Sequence, residues 1–74
     1  MKKQELGNIL KNKNIPSHFY SLDGGLPYDA WCLSKTSFGW EVYYSEHGEK
    51  YMLKDFKTEE DACEYMYKKL INIV

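Results

Sequence analysis

Apolar and polar positions change their spacing along this chain, and each change marks an element. From Lys2 to Lys13, Leu6, Ile9 and Leu10 recur at three- and four-residue intervals, which predicts a first helix. Gly7 weakens that helix by about 1 kcal/mol relative to alanine. Ile15-Pro16 ends it, because the residue before a proline is pushed out of helical geometry. Residues 17–28, SHFYSLDGGLPY, carry Phe19 and Tyr20 as a short extended stretch and then Asp23-Gly24-Gly25 and Pro27 as a loop.

The period then falls to two. Ala30 to Lys35, Trp40 to Glu46 and Tyr51 to Phe56 read as strands, joined by Thr36–Gly39 and His47–Glu49, connections short enough for hairpins. The middle strand alternates most cleanly, with Trp40, Val42 and Tyr44 on one face and Glu41, Tyr43 and Ser45 on the other. In the first strand Trp31 and Leu33 alternate with Ala30 and Cys32, and the pattern leaves its inward face open. Helical spacing returns after Thr58, an N-cap residue followed by the acids Glu59, Glu60 and Asp61. Ala62, Met66, Leu70 and Ile73 form the stripe, flanked by Cys63 and Tyr67, and Lys68 and Lys69 suit the last turns. The expected fold is α+β: a single small α-β-β-β-α domain over residues 1–74. Its order is helix, three-stranded antiparallel meander, helix, with both helices packed on one sheet face.

Composition changes this picture in two ways. A chain of 74 residues makes a small core, and 16% aromatic residues supply the large buried side chains it needs. A monomer and a homodimer are both compatible with that core. The net charge of −1 excludes a generic nucleic-acid binder, yet the charge is uneven. Four lysines stand against Glu5 in residues 1–18, whereas residues 41–64 hold eight acids against three lysines. That acidic second half suits a basic partner, and an ordinary solvated surface accounts for it as well.

Little in the chain carries chemistry of its own. His18, His47, Cys32 and Cys63 share no metal-ligand spacing, so no metal or cofactor is expected. Cys32 on a strand and Cys63 beside a buried stripe favour inert free thiols over an activated nucleophile, and no enzyme is expected. The Gly24-Gly25 pair leads through Leu26-Pro27-Tyr28 into a strand and lacks the lysine and helix of a phosphate loop. No run is long enough to span a bilayer, and Gln4 and Glu5 fall where an apolar signal core would begin. The expected location is cytoplasmic, with no membrane partner. What remains is the face of the sheet turned away from the helices. There Glu41 and Tyr43, with Glu46 nearby, are the candidate partner-binding residues, tyrosine being favoured at interfaces for its apolar body and polar tip. Cross-strand packing is the plainer role for Tyr43.

Three stretches together carry a resemblance: Tyr20 to Pro27 (YSLDGGLP), Trp40 to Gly48 (WEVYYSEHG), and Phe56 through Tyr65 with its Glu60-Asp61-Ala62-Cys63 run. They resemble small bacterial immunity proteins of polymorphic and contact-dependent toxin systems, over most of residues 19–70. The chain departs from that pattern at His47, where the family more often has arginine. The resemblance implies a non-enzymatic protein-binding module that blocks one toxin by occlusion, and the acidic half suits a basic toxin domain. The alternative is a small structural or regulatory accessory domain that forms a homodimer through a strand edge.

The α-β-β-β-α order is also that of double-stranded RNA-binding domains, but those set lysines where this chain sets Glu59, Glu60 and Asp61. A fluorescence titration with duplex RNA at physiological salt should therefore show negligible binding. Micromolar binding that weakens as salt is added would contradict this.

Overall fold

In the computed structural model, which describes residues 1–72, the first helix, α1, spans Lys3–Asn12 and buries Leu6 and Leu10 completely. Its first turn is steadied by Glu5, whose carboxylate accepts from the Lys2 backbone N–H at 3.3 Å. Pro16 is not what closes it. Asn14 takes the left-handed conformation (φ 60°), its N–H donates to the Lys11 carbonyl, and the Ile15 N–H reaches back to Leu10 at 3.1 Å. Ile15 and Leu10 then lie together in the core, as a Schellman ending favours. Gly7 also acquires a reason: a Cβ there would stand 3.2 Å from Leu22 Cδ1, so the following loop packs against the helix at this point.

After one turn of 3-10 helix at Ser17–Phe19 come four strands: β1 Tyr20–Ser21, β2 Ala30–Thr36, β3 Gly39–Glu46 and β4 Glu49–Phe56. They form one sheet in the order β1-β2-β3-β4. The three-stranded antiparallel meander expected from the sequence is thus part of a larger, mixed sheet. β1 runs parallel to β2, pairing Tyr20 with Trp31 and Ser21 with Cys32. Two residues are too short to show alternation, so no periodic signal could announce this strand. The β3–β4 turn is tighter than the three residues read from the sequence: His47 and Gly48 both have positive φ (52° and 76°), as a two-residue type I′ hairpin requires.

The second helix, α2, spans Glu59–Ile71, and the Thr58 hydroxyl caps it by accepting from the Asp61 N–H at 3.1 Å. Ala62, Cys63, Met66 and Leu70 are fully buried against Leu6, Leu10, Trp31, Leu33 and Val42, so both helices share one face of the sheet. Ile73, placed on the same stripe by its spacing, lies outside the described residues. The helix N-termini are tied by Glu59, which accepts from the Lys3 backbone N–H at 2.7 Å, and by the Lys2–Glu60 ion pair at 3.2 Å. A carboxylate there meets the positive end of both helix dipoles. Cys32 and Cys63 are free and buried. Among the described residues, no helix is long and apolar enough to cross a membrane.

Leu70 has no exposed surface, so Leu70→Ala should cost about 2–5 kcal/mol of unfolding free energy. In a denaturant titration that shift removes much of the stability available to a core this small. An unchanged midpoint would contradict the packing described for α2.

Candidate functional site

The other face of the sheet carries Ala30 and Cys32 from β2 and Glu41, Tyr43 and Ser45 from β3. It is not open to solvent. The segment 22–29, which connects β1 to β2, crosses this face as a strap. The Tyr43 hydroxyl donates to the Gly25 carbonyl at 2.7 Å, and the Ser45 hydroxyl donates to the Pro27 carbonyl at 2.7 Å. Ser21 closes the near end by donating to the Gly24 carbonyl at 2.7 Å, and Lys3 Nζ meets Asp23 at 2.8 Å. Gly24 is required twice over: its φ is +73°, and a Cβ would lie 3.1 Å from Ser34 Oγ. The ambiguity of β2 in the sequence has its cause here, since both of its faces are covered and Ala30 through Leu33 are all buried.

This burial corrects the expected recognition surface. Tyr43 is 1% exposed and Ser45 is fully buried, so neither can meet a partner while the strap is in place. Burial raises the Tyr43 phenol to about 12, with the nearby Cys32 thiol and the Glu41 carboxylate adding to it, and burial likewise raises Cys32. Cys63, on the helix side, is raised to about 11 mainly by burial and secondarily by Glu59, so both thiols are held in the unreactive form. Glu41 is nearly covered too. Lys50 Nζ reaches its carboxylate at 3.0 Å while lying 4.6 Å from the centre of the Tyr43 ring. Glu46 is the most accessible of the three expected residues and stands 3.7 Å from His47 Nε2 at the hairpin turn. Tyr43 lies under the strap with Glu41 two residues away beneath Lys50, whereas Glu46 is apart from them at the strand end.

The strap leaves β4 uncovered. Tyr51, Met52 and Leu53 are among the exposed large apolar residues, and every β4 residue except Phe56 is exposed. The strand also carries an irregularity. Tyr44 pairs with Tyr51 and Val42 with Lys54, so β4 holds one residue more than β3 across this stretch, and Met52 sits there with φ +52°. Beyond the bulge, Asp55 pairs directly with Glu41, two carboxylates facing each other across the strands. Such pairs are destabilising in isolation. Because Lys50 is directed to Glu41, Asp55 has no ion-pair partner among the described residues. A shallow groove of about 350 Å³, lined by Thr36, Phe38, Trp40, Asp55, Phe56 and Lys57, continues the surface past the end of β4. Among the described residues no group of three or more His, Cys, Asp or Glu side chains could hold a metal ion.

The candidate site is therefore the margin formed by β4, which begins at Glu49, with Glu41 and Glu46 beside it. Sequence reasoning missed Met52, Leu53 and Asp55. The run Tyr51-Met52-Leu53 breaks strict alternation, and that break is the one signal of the bulge and of a strand that buries neither face. No family model, curated protein or solved structure matches the chain.

Tyr43→Phe should loosen the strap, costing about 0.5–1.5 kcal/mol for the lost hydrogen bond to Gly25. The phenol also makes stability depend on pH. Its folded value near 12 lies above the ordinary 10.0, so the folded state holds the proton more tightly. That contribution is complete below pH 10 and is lost as pH rises toward 12. Alkaline melting of parent and variant should therefore converge across this window; a constant gap would contradict the burial of the phenol.

Proposed function

We propose that the chain is a non-enzymatic protein-binding module of the immunity type, acting in the cytoplasm, that neutralises a basic toxin domain by occlusion and docks it along β4. One observation carries the reading. An eight-residue outer strand exposes three apolar side chains in succession beside Asp55, a carboxylate that faces Glu41 across the strands and has no ion-pair partner among the described residues. Local rules broken without compensation inside the chain point to a partner that supplies it. An extended basic segment adding to this edge would hydrogen-bond the free backbone groups of β4, cover Met52 and Leu53, and place a cation against Asp55. The hairpin β3–β4 carries four acids against two lysines, which favours fast capture of a positively charged domain. The motif resemblance over residues 19–70 supports the same class. Glu46 stays in the site as an exposed acid; Glu41 acts from beneath Lys50; Tyr43 holds the strap that shapes the surface without touching the partner.

The test is co-expression with a basic toxin domain recovered by pull-down with this chain as bait. Leu53→Glu is expected to fold, because the position is 46% exposed, and to weaken binding by about tenfold or more with loss of protection. Glu64→Lys, on the exposed side of α2, should protect like the parent. If Leu53→Glu protects equally well, docking along β4 is wrong, and if no toxin domain is neutralised the immunity reading falls with it.

A further inference from the structure

The two edges of the sheet are unequal. β1 offers two residues, too few to template another strand, whereas β4 offers Glu49 to Phe56. Turned end for end about the midpoint between Met52 and Leu53, the β4 sequence is complementary to itself. Lys50 falls opposite Asp55, Tyr51 opposite Lys54, and Met52 opposite Leu53. In a straight strand this register would fail, because residues an odd number of positions apart point to opposite faces. The bulge removes the obstacle. Tyr51 and Lys54 share the face of their partners Tyr44 and Val42, while Lys50 and Asp55 share the face of Ser45 and Glu41. The Lys50–Asp55 and Tyr51–Lys54 pairs are therefore each brought to one face by the extra residue at Met52. A slip of one residue in either direction sets Lys50 against Lys54, or Asp55 against Tyr51, and crosses the faces.

We infer that β4 pairs antiparallel with β4 of a second copy of this chain, about a two-fold axis between Met52 and Leu53, with Lys50 of each copy paired to Asp55 of the other. This rests on the reading of β4 as the docking edge and names a resident occupant for it. The charges fit. Asp55 faces Glu41 and has no cation of its own among the described residues, and Lys50 of the second copy arrives on that same face, to be shared between this Asp55 and its own Glu41, which it meets at 3.0 Å. On the opposite face Lys54 already lies over the rings of Phe56 and Tyr65, 5.7 and 5.1 Å from their centres, and Tyr51 of the second copy adds another ring beside it. Edge lysines and bulges ordinarily protect a strand from such pairing. Here each lysine has a matching group across the axis, and the two bulges meet at the axis, leaving regular pairing on either side. The left-handed Met52, a conformation that a non-glycine side chain adopts only at a cost, is the residue on which the register depends. One strand pair buries less than a standard interface of about 1,600 Å², so the pairing is reversible and yields to a partner with a larger footprint.

Sedimentation of the full chain from micromolar to millimolar loading should show a mass rising from one chain toward two. Asp55→Lys sets lysine against Lys50 of the second copy and Lys50→Asp sets aspartate against Asp55, so each variant alone should associate about tenfold more weakly or less. Asp55→Lys relieves the repulsion from Glu41, which keeps that variant folded. An equimolar mixture of the two variants, and the double variant Lys50→Asp/Asp55→Lys, should both regain the association of the parent. A parent that stays a single chain throughout, variants that associate like the parent, or a mixture that stays apart would each overturn the pairing. A single-chain parent whose Leu53→Glu variant still loses protection removes only the second copy. Pairing as described without protection from any toxin removes only the proposed function.

Discussion

Two side-chain hydroxyls on the central strand, Tyr43 and Ser45, hold the carbonyls of Gly25 and Pro27, and most of the architecture follows from that pair of bonds. A sheet has two faces, and two short helices can cover only one of them in a chain of this size. The strap covers the other with little more than backbone. Its carbonyls would be costly to bury alone, and polar groups on the sheet satisfy them. To cross close to Ser34 the strap must be glycine at position 24, and its return to β2 brings Tyr20 and Ser21 alongside Trp31 and Cys32 as a parallel pair. Parallel strands are ordinarily joined by a helical crossover, so a bare loop in that place needs anchors, and these hydroxyls are the anchors.

Residues with local, repeated signals were legible in the sequence. Thr58 and the acids after it marked the start of α2, Met66 and Leu70 marked its buried side, and the alternation from Trp40 to Ser45 fixed β3 and both of its faces. What was not legible depends on distant groups. Tyr43 reads as an outward residue from alternation alone, and that is where its side chain points; the strap over it is bonded through Gly25, eighteen residues away. The ending of α1 at Asn14 was masked by Pro16, a stronger signal two residues too late. Glu41 and Tyr43 accordingly lie on the expected face but are covered there, Glu46 is accessible at the strand end, and Met52 and Leu53 stand exposed one strand further on.

The same arrangement explains why β4 is open. The strap passes over β2 and β3, and α2 sits mainly on those strands from the other side, reaching β4 through the contact of Tyr65 with Phe56. Burial falls off along the order β2, β3, β4 accordingly, from a strand covered on both faces to one covered on neither. A strand in the last position gains from its pairing with β3 and from little else, so selection for core packing places few demands on its side chains. Tyr51, Met52 and Leu53 are nonetheless apolar, and Asp55 faces another acid. Neither choice is explained by folding of the single chain, since a lysine at position 55 would pair with Glu41 and polar residues at 51–53 would be better solvated. A solvated strand under no other constraint drifts toward charge and alternation. The departure from both, on the longer of the two edge strands, is the observation behind the proposed contact with another polypeptide.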